Sequence, residues 1–432
     1  LSRAEINKRE HHSELEKTGR MEMTKKRSFT IVGGGQSGLQ LACGLLDAGH
    51  AVHIVQNRTA EEIAAARVLS SQCMFDNALQ NERELGLNFW GDSCPTVDSI
   101  NFVVPAPDGG KAIEWNGKLD SKAQSVDQRV KIPRWLTEFE HRGGQLTIHD
   151  AGIEDLETYA RKSDLVIVAA GKGDIAKMFE RDPQRSPYDK PQRALALTYV
   201  KGMAPRPGHS AVSFNLIPGV GEYFTFPALT TTGACDIMVF EGIPGGPMDC
   251  WRDVNSPDAH LEESRWILDT FLPWEAERCT SVSLTDDNGR LAGAFAPTVR
   301  KPIGRLPSGA TVLGLADAVC LNDPITGQGS NNASKAAKYY MDAILAHGDR
   351  PFDDAFKQAT FEAYWNYAQY VVGWTNALLA PPPPHVLNIM GSAQAYPALA
   401  KRIANGFNDP RDFFPWFSVP EEADAYLTKL AA

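Results

Sequence analysis

The sequence predicts an α/β protein: a βαβ nucleotide-binding unit, an inserted, mostly antiparallel sheet, and a helical C-terminal region. Three observations predict it. A short β-branched run, Phe29-Thr30-Ile31-Val32, feeds directly into a glycine turn, Gly33-Gly34-Gly35-Gln36-Ser37-Gly38, and then into apolar residues at helical spacing. Two later runs, Asp164 to Gly171 and Thr311 to Asp317, read as buried parallel strands ending in glycine turns. Between them, from about Pro191 to Pro297, short alternating strands are punctuated by Gly and Pro.

Residues 1–24 precede these signals. Arg3, Lys8, Arg9, Glu10, His11, His12, Glu14 and Glu16 make this stretch polar, without the apolar centre of a signal peptide, so an added leader or a native polar extension is expected. Leu39, Leu41, Ala42, Leu45 and Leu46 form the helix face after the glycine turn, Gly49 ends that helix, and Ala51-Val52-His53-Ile54-Val55 is the second strand. In the inserted region the strands are Ala194 to Val200, Ser210 to Leu216 and Tyr223 to Phe226. Helices dominate from Ser330, with Pro381-Pro382-Pro383-Pro384 as a stiff extended spacer.

A chain of 432 residues exceeds one ordinary core, so several packed units are expected. Hydrophobic residues at 43% and charged residues at 22% are a globular composition. No run approaches the roughly eighteen apolar residues of a membrane span, and a net charge of -10 argues against nucleic acid. Seven scattered cysteines without a CxxC spacing predict free thiols in a reducing, cytoplasmic setting. The ten histidines, among them His53, His149 and His209, lack ligand spacing, so no metal is expected.

In the glycine turn, Gly33 permits the tight bend, Gly35 lets the backbone approach a pyrophosphate, and Gly38 allows close helix–strand packing. Amides at the helix start, aided by the helix dipole, then meet the phosphates. An acidic residue should end the second strand, but Gln56-Asn57-Arg58 stands there. Gln56 can hydrogen-bond a ribose hydroxyl more weakly than a carboxylate, Arg58 can pack on adenine or pair with phosphate, and Asn57 is equally well a solvated loop residue. The second constellation is Gly314-Leu315-Ala316-Asp317, then Asp323-Pro324-Ile325-Thr326-Gly327-Gln328-Gly329-Ser330-Asn331-Asn332-Ala333. Asp317 at a strand end suits a ribityl hydroxyl, and Pro324 stiffens the loop. Gly327 and Gly329 bring the main chain, with Gln328, close to a flat ring. The amides of Gly329, Ser330 and Asn331 open a helix toward the N1–C2=O edge of a reduced flavin. This pairing points to FAD rather than NAD.

The paired motifs resemble flavoprotein monooxygenases with a para-hydroxybenzoate hydroxylase-like fold. Arg67 with Val68-Leu69-Ser70-Ser71, Ser125-Val126-Asp127-Gln128-Arg129, Lys190-Pro191-Gln192-Arg193-Ala194-Leu195, Pro297-Thr298-Val299-Arg300 and Trp374-Thr375-Asn376 narrow the resemblance. In order and spacing they are similar to the two-component (group E) styrene/indole monooxygenases, from about Lys25 to the C-terminus. The resemblance implies an FAD-binding domain built from 25–72, 125–175 and 300–345. A substrate domain from 73–124 and 176–299 and a helical region from 346–432 complete it. It implies reduced FAD supplied in trans by a transiently bound NADH:flavin reductase, O2 as co-substrate, no NAD(P)H site of its own, and leaves a homodimer open. Arg67 is expected to orient the isoalloxazine or its phosphates, and Arg129 is counted with the cofactor.

Styrene and indole members of that family differ at six pocket positions: Asn, Val, His, Tyr, His and Ser in the first, Ser, Gln, Met, Val or Ile, Ile and Ala in the second. This chain reads Ser70, Gln72, Met74, Val97, Ile100 and Ala123, the last after a small insertion. The pattern resembles the indole type. Met74, Val97 and Ile100 would offer apolar surface to a bicyclic aromatic, although without the family pattern they read as core. Gln72 or Ser70 would accept from the indole N–H, a bond styrene cannot make. The implied reaction is epoxidation of indole at C2=C3 by a flavin C4a-hydroperoxide, leading to indoxyl and indigo. Oxygen insertion then needs no side-chain nucleophile or base, so no catalytic residue is assigned. The alternatives are styrene epoxidation, a single-component NAD(P)H-dependent aromatic hydroxylase, and a scaffold that has lost chemistry. Ala169-Ala170-Gly171-Lys172-Gly173 in place of an Asp-Gly motif argues against the hydroxylase, and the intact Asp323–Gly329 loop argues against the scaffold.

Overall fold

Residues 25–171 and 175–432 are described in the computed structural model; the expected leader, 1–24, and Lys172-Gly173 lie outside them. In chain order the longer elements are β1 (Ser28–Val32), α1 (Gln36–Asp47), β2 (Ala51–Gln56), α2 (Asp76–Glu84), β3 (Thr96–Pro105), β4 (Lys111–Gln124), α3 (Gln128–His141), β5 (Gln145–Ile148), α4 (Ile153–Lys162) and β6 (Leu165–Val168). Then come β7 (Ala194–Lys201), β8 (Ala211–Ile217), β9 (Gly221–Thr230), β10 (Gly233–Gly242), α5 (Pro257–Phe271), β11 (Ser283–Leu284), β12 (Arg290–Gly293), β13 (Thr298–Val299), β14 (Ile303–Arg305), β15 (Thr311–Gly314) and β16 (Cys320–Leu321). Five helices follow: α6 (Gly329–His347), α7 (Asp354–Leu378), α8 (Pro384–Ser392), α9 (Pro397–Gly406) and α10 (Pro420–Ala431).

The first sheet has the order β14-β15-β6-β1-β2-β5. All its pairs are parallel except β14 with β15. Parallel central strands are covered on both faces, which explains the unbroken buried runs in β1 and β6. α1 ends as its glycine predicts: Gly49 takes φ +86, and the N–H groups of Gly49 and His50 reach the carbonyls of Leu46 and Leu45.

The second sheet runs β11-β7-β10-β9-β8-β3-β4, with β12 also on β7. Its pairs are antiparallel except β3 with β8. The β3–β4 hairpin and β10 are absent from the strands read in the sequence. In β4 the outward Glu114, Asn116, Lys118 and Asp120 alternate with the inward Trp115, Gly117 and Leu119. That is a half-exposed edge strand whose polar face masks its period of two.

One core surrounds the first sheet. A second lies between the second sheet and the C-terminal helices, and a third packs α5 on that sheet. α7 joins the first two, with Val371 and Val372 in the first and Trp374 in the second. The proline spacer is extended through Pro383, while Pro384 opens α8 at a position where a missing N–H costs nothing. No helix among the described residues is long and apolar enough to cross a membrane. All seven cysteines are free, and burial pushes Cys43, Cys279 and Cys320 up to about 12.

Candidate cofactor and substrate site

The sheet order sets the ends of β15, β6 and β1 side by side, so the two glycine motifs meet although they are far apart in the chain. Gly33 sits at φ +115, where a Cβ would lie 2.8 Å from the Ala169 carbonyl carbon. A Cβ on Gly38 would lie 2.0 Å from the Gly33 carbonyl oxygen, so helix and turn touch there. Gly35 differs: it is exposed at the start of α1, and a Cβ there would meet nothing within 4 Å. Open space above a glycine at a helix N-terminus is what an approaching phosphate requires.

Asp317 is exposed in the turn after β15, where Ala316 holds φ +51. Gly171, just beyond β6, lies against it; a Cβ there would be 2.8 Å from the Asp317 Cβ. In the second loop the Asp323 carboxylate accepts the Ile325 N–H at 3.1 Å, Pro324–Thr326 make a single 3-10 turn, and Gly327 takes φ +62. Gly329 is exposed at the first position of α6 with open space around it. α1 and α6 pack together, tied by the Gln40 amide donating to the Ser334 carbonyl at 2.9 Å. Among the described residues, both polar side-chain atoms of Asn332 and the Gln328 Oε1 are buried without a partner. Orphaned amide atoms beside an open glycine cradle fit a flavin edge.

Other predicted cofactor residues are engaged within the chain. Gln56 turns inward over Gly34 and donates to the Arg58 carbonyl at 2.7 Å, so its amide N–H group does not face outward. Arg58 is half-buried, and Arg67 is exposed. The Asn331 side chain donates to the carbonyls of Cys73 and Gly327 and accepts from the Phe75 N–H, leaving its main chain alone for a ligand. Arg129 is a correction to the expectation. Its Nε donates to Asp127, and its other N–H groups reach Asp286, Thr230 and the Ala66 carbonyl. With all five donors engaged, it clamps α3 to the second sheet and has none left for a phosphate.

Beside the Asp323–Gly329 loop lies an apolar chamber, part of it open to solvent. Its floor is the second sheet, where Trp115, Phe102 and Phe214 stack across β4, β3 and β8 with centroids 5.3 and 5.9 Å apart. Trp374, Phe407 and Phe413 from the C-terminal helices form the roof, and Ile325 of the loop forms one wall. Among the residues lining it, Glu222 is the one that can carry a charge.

Of the six pocket positions, Ile100 lines this chamber. Val97 and Ala123 face each other across the β3–β4 ladder in the same core. Ser70 and Gln72 form a polar pair: the Ser70 hydroxyl donates to the Gln72 Oε1 at 3.3 Å and accepts from Gln128 at 3.0 Å, while the Gln72 amide donates to the Val126 carbonyl. Met74 stands apart from the aromatic lining. It packs with Ala78 and Leu79, its sulfur 3.1 Å from the Lys131 ammonium, which is itself paired with Glu82 at 2.7 Å. The sequence reading missed the aromatic floor, although Ile100, Phe102 and Val104 alternate along β3 and carried a usable signal.

Residues 171–278 match a family model described as the styrene monooxygenase A putative substrate binding domain. The styrene monooxygenase StyA of Pseudomonas fluorescens is 28% identical over 415 residues, covering 94% of this chain and 99% of that protein. Among solved structures, CmlS, a flavin-dependent halogenase, superposes with a TM-score of 0.63 at 16% identity, over 94% of this chain and 78% of that one. PqsL of Pseudomonas aeruginosa, described as a probable FAD-dependent monooxygenase, gives 0.57 at 16% identity, over 82% and 96%. The fold is that of the para-hydroxybenzoate hydroxylase-like flavoproteins.

Proposed function

For a chain that is a relative, over nearly its whole length, of the styrene/indole-type two-component monooxygenase oxygenase subunits, we propose FAD-dependent epoxidation of indole at C2=C3. Reduced FAD comes from a separate NADH:flavin reductase in transient contact. The observation that carries the reading is the aromatic chamber with Ile325 of the glycine loop as one wall, since this sets an apolar substrate beside the flavin cradle.

Gly33, Gly35 and Gly38 with the start of α1 would hold the pyrophosphate, and Asp317 would take a ribityl hydroxyl. The main chain from Gly327 to Asn331 would hold the N1–C2=O edge of the ring when the cofactor is bound. When bound and reduced, FAD supplies the activation of O2. The chain's own share is placement and dryness: Phe102, Trp115 and Phe214, stacked on one another, make a continuous aromatic floor for a flat bicyclic ring to pack against, and the apolar lining keeps water from the reacting bond.

The six-position pattern supports indole, and the relatives' names support styrene as the second reading. Expression with a flavin reductase in indole-producing cells tests this: blue pigment is expected. Soluble protein in colourless cells, together with efficient styrene oxide formation, would give the styrene reading instead. Gln72→Val removes the acceptor at the Ser70–Gln72 pair and is expected to slow indole turnover about tenfold more than styrene turnover, the net worth of one lost hydrogen bond. Equal losses with both substrates would mark Gln72 as a packing residue bound to Val126.

A further inference from the structure

Glu241 on β10 is fully buried, and among the described residues neither of its carboxyl oxygens receives a hydrogen bond from an N–H or hydroxyl donor. Directly across the β9–β10 ladder stands Glu222. Asp323 comes in from the glycine loop, 1% exposed, with its Oδ2 also lacking such a donor. The carboxyls of Glu241 and Asp323 lie within hydrogen-bond reach of each other. The cation facing the three acids is Arg193, just ahead of β7, and it is bidentate to Glu222 at 2.7 and 2.9 Å. Its remaining N–H groups reach the carbonyls of Gln192, Leu378 and Leu379. Three carboxylates against one guanidinium, all buried, cannot all be ionised at tolerable cost. Two carboxyls in contact resolve this by sharing one proton.

We propose that Glu241 keeps a proton at neutral pH and donates it to Asp323, forming an acid–carboxylate latch that holds the Asp323–Gly329 loop in its cofactor-binding shape. Burial, with Asp323 and Glu222 adding to it, pushes Glu241 well above the usual carboxylate range, and burial pushes Asp323 up as well. A carboxyl raised on folding contributes stability at low pH and loses it as the pH rises through its folded value. Deprotonation at alkaline pH therefore sets two like charges against each other and frees the loop. Glu241 is a positioning residue, and Glu222 links the latch to the substrate chamber, which it also lines.

The shared proton does not depend on the FAD reading; only its effect on cofactor binding does. Infrared spectra of the cofactor-free full chain are expected to show a protonated-carboxyl band at neutral pH that is missing from Glu241→Gln and shifted in Asp323→Asn, where burial keeps Glu241 protonated but its carboxylate acceptor is gone. Oxidised FAD, titrated by fluorescence, is expected to bind the wild type about tenfold more weakly once alkaline pH has abolished the band, a shift of about 1.4 kcal/mol. Glu241→Gln, whose amide donates without titrating, is expected to bind FAD at the neutral-pH affinity throughout, and Glu241→Ala to bind weakly at every pH. The latch is overturned if the wild type lacks the band, if Glu241→Gln retains it, if Asp323→Asn leaves it unshifted, or if Glu241→Gln loses as much affinity as Glu241→Ala. A wild type with the band but no FAD binding would overturn the cofactor reading and leave the proton assignment standing.

Discussion

Gly35→Val is expected to give a chain that melts close to the wild-type temperature yet binds FAD at least about a hundredfold more weakly, roughly 2.7 kcal/mol. Gly35 has φ -87 and ψ -167, an extended conformation open to any residue, and a Cβ there meets nothing within 4 Å. Changing the N-cap of α1 costs about 1 kcal/mol or less. The valine methyl groups instead occupy the space through which a phosphate reaches the helix amides. Gly38→Ala separates folding from binding, because its Cβ must sit 2.0 Å from the Gly33 carbonyl oxygen, a backbone atom that cannot rotate away. It is expected to lower the melting temperature severely along with FAD binding. Thermal melts paired with FAD titrations check both variants. Wild-type FAD affinity in Gly35→Val would remove the pyrophosphate from this turn.

Arg129→Met is expected to cost about 3–5 kcal/mol of folding stability, because it leaves the buried Asp127 and the half-buried Asp286 without their cation. Asp127 is 1% exposed, accepts the Arg129 backbone N–H as the cap of α3, and receives the Thr230 hydroxyl at 2.6 Å. Asp286 is the other partner. Burial alone would raise it, but the hydrogen bond and charge of Arg129 outweigh that and hold it below the usual carboxylate value. A depressed carboxyl contributes stability above its unfolded value and loses it as the pH falls through the folded one. The wild type is therefore expected to lose this contribution in acid. Arg129→Met lacks the cation that holds Asp286 ionised, so its deficit should shrink as the pH falls. Denaturant midpoints across the acid range measure this. An equal deficit at all pH values would mean that Arg129 acts by packing alone.

The nucleotide-binding unit was legible because its requirements are local. One strand, one glycine turn and one helix, adjacent in the chain, carry the φ +115 of Gly33, the open face of Gly35 and the contact at Gly38. The Asp323–Gly329 loop was legible for the same reason. The roles of Arg129, Asn331 and Met74 were not, since each depends on partners from other elements: Asp286 and Thr230 for the first, Cys73 and Phe75 for the second, Lys131 and Leu79 for the third.

By itself the sequence determined the βαβ unit, both glycine motifs and the order of the regions, because backbone conformation and periodicity are written in contiguous residues. Only the tertiary structure decided that Trp115, Phe102 and Phe214 would stack into one floor beneath helices from the far end of the chain. It also decided that Glu241 would meet Asp323 out of reach of water. The physical reason is that desolvation and ring stacking depend on which neighbours folding supplies, and those neighbours come from distant strands, loops and helices.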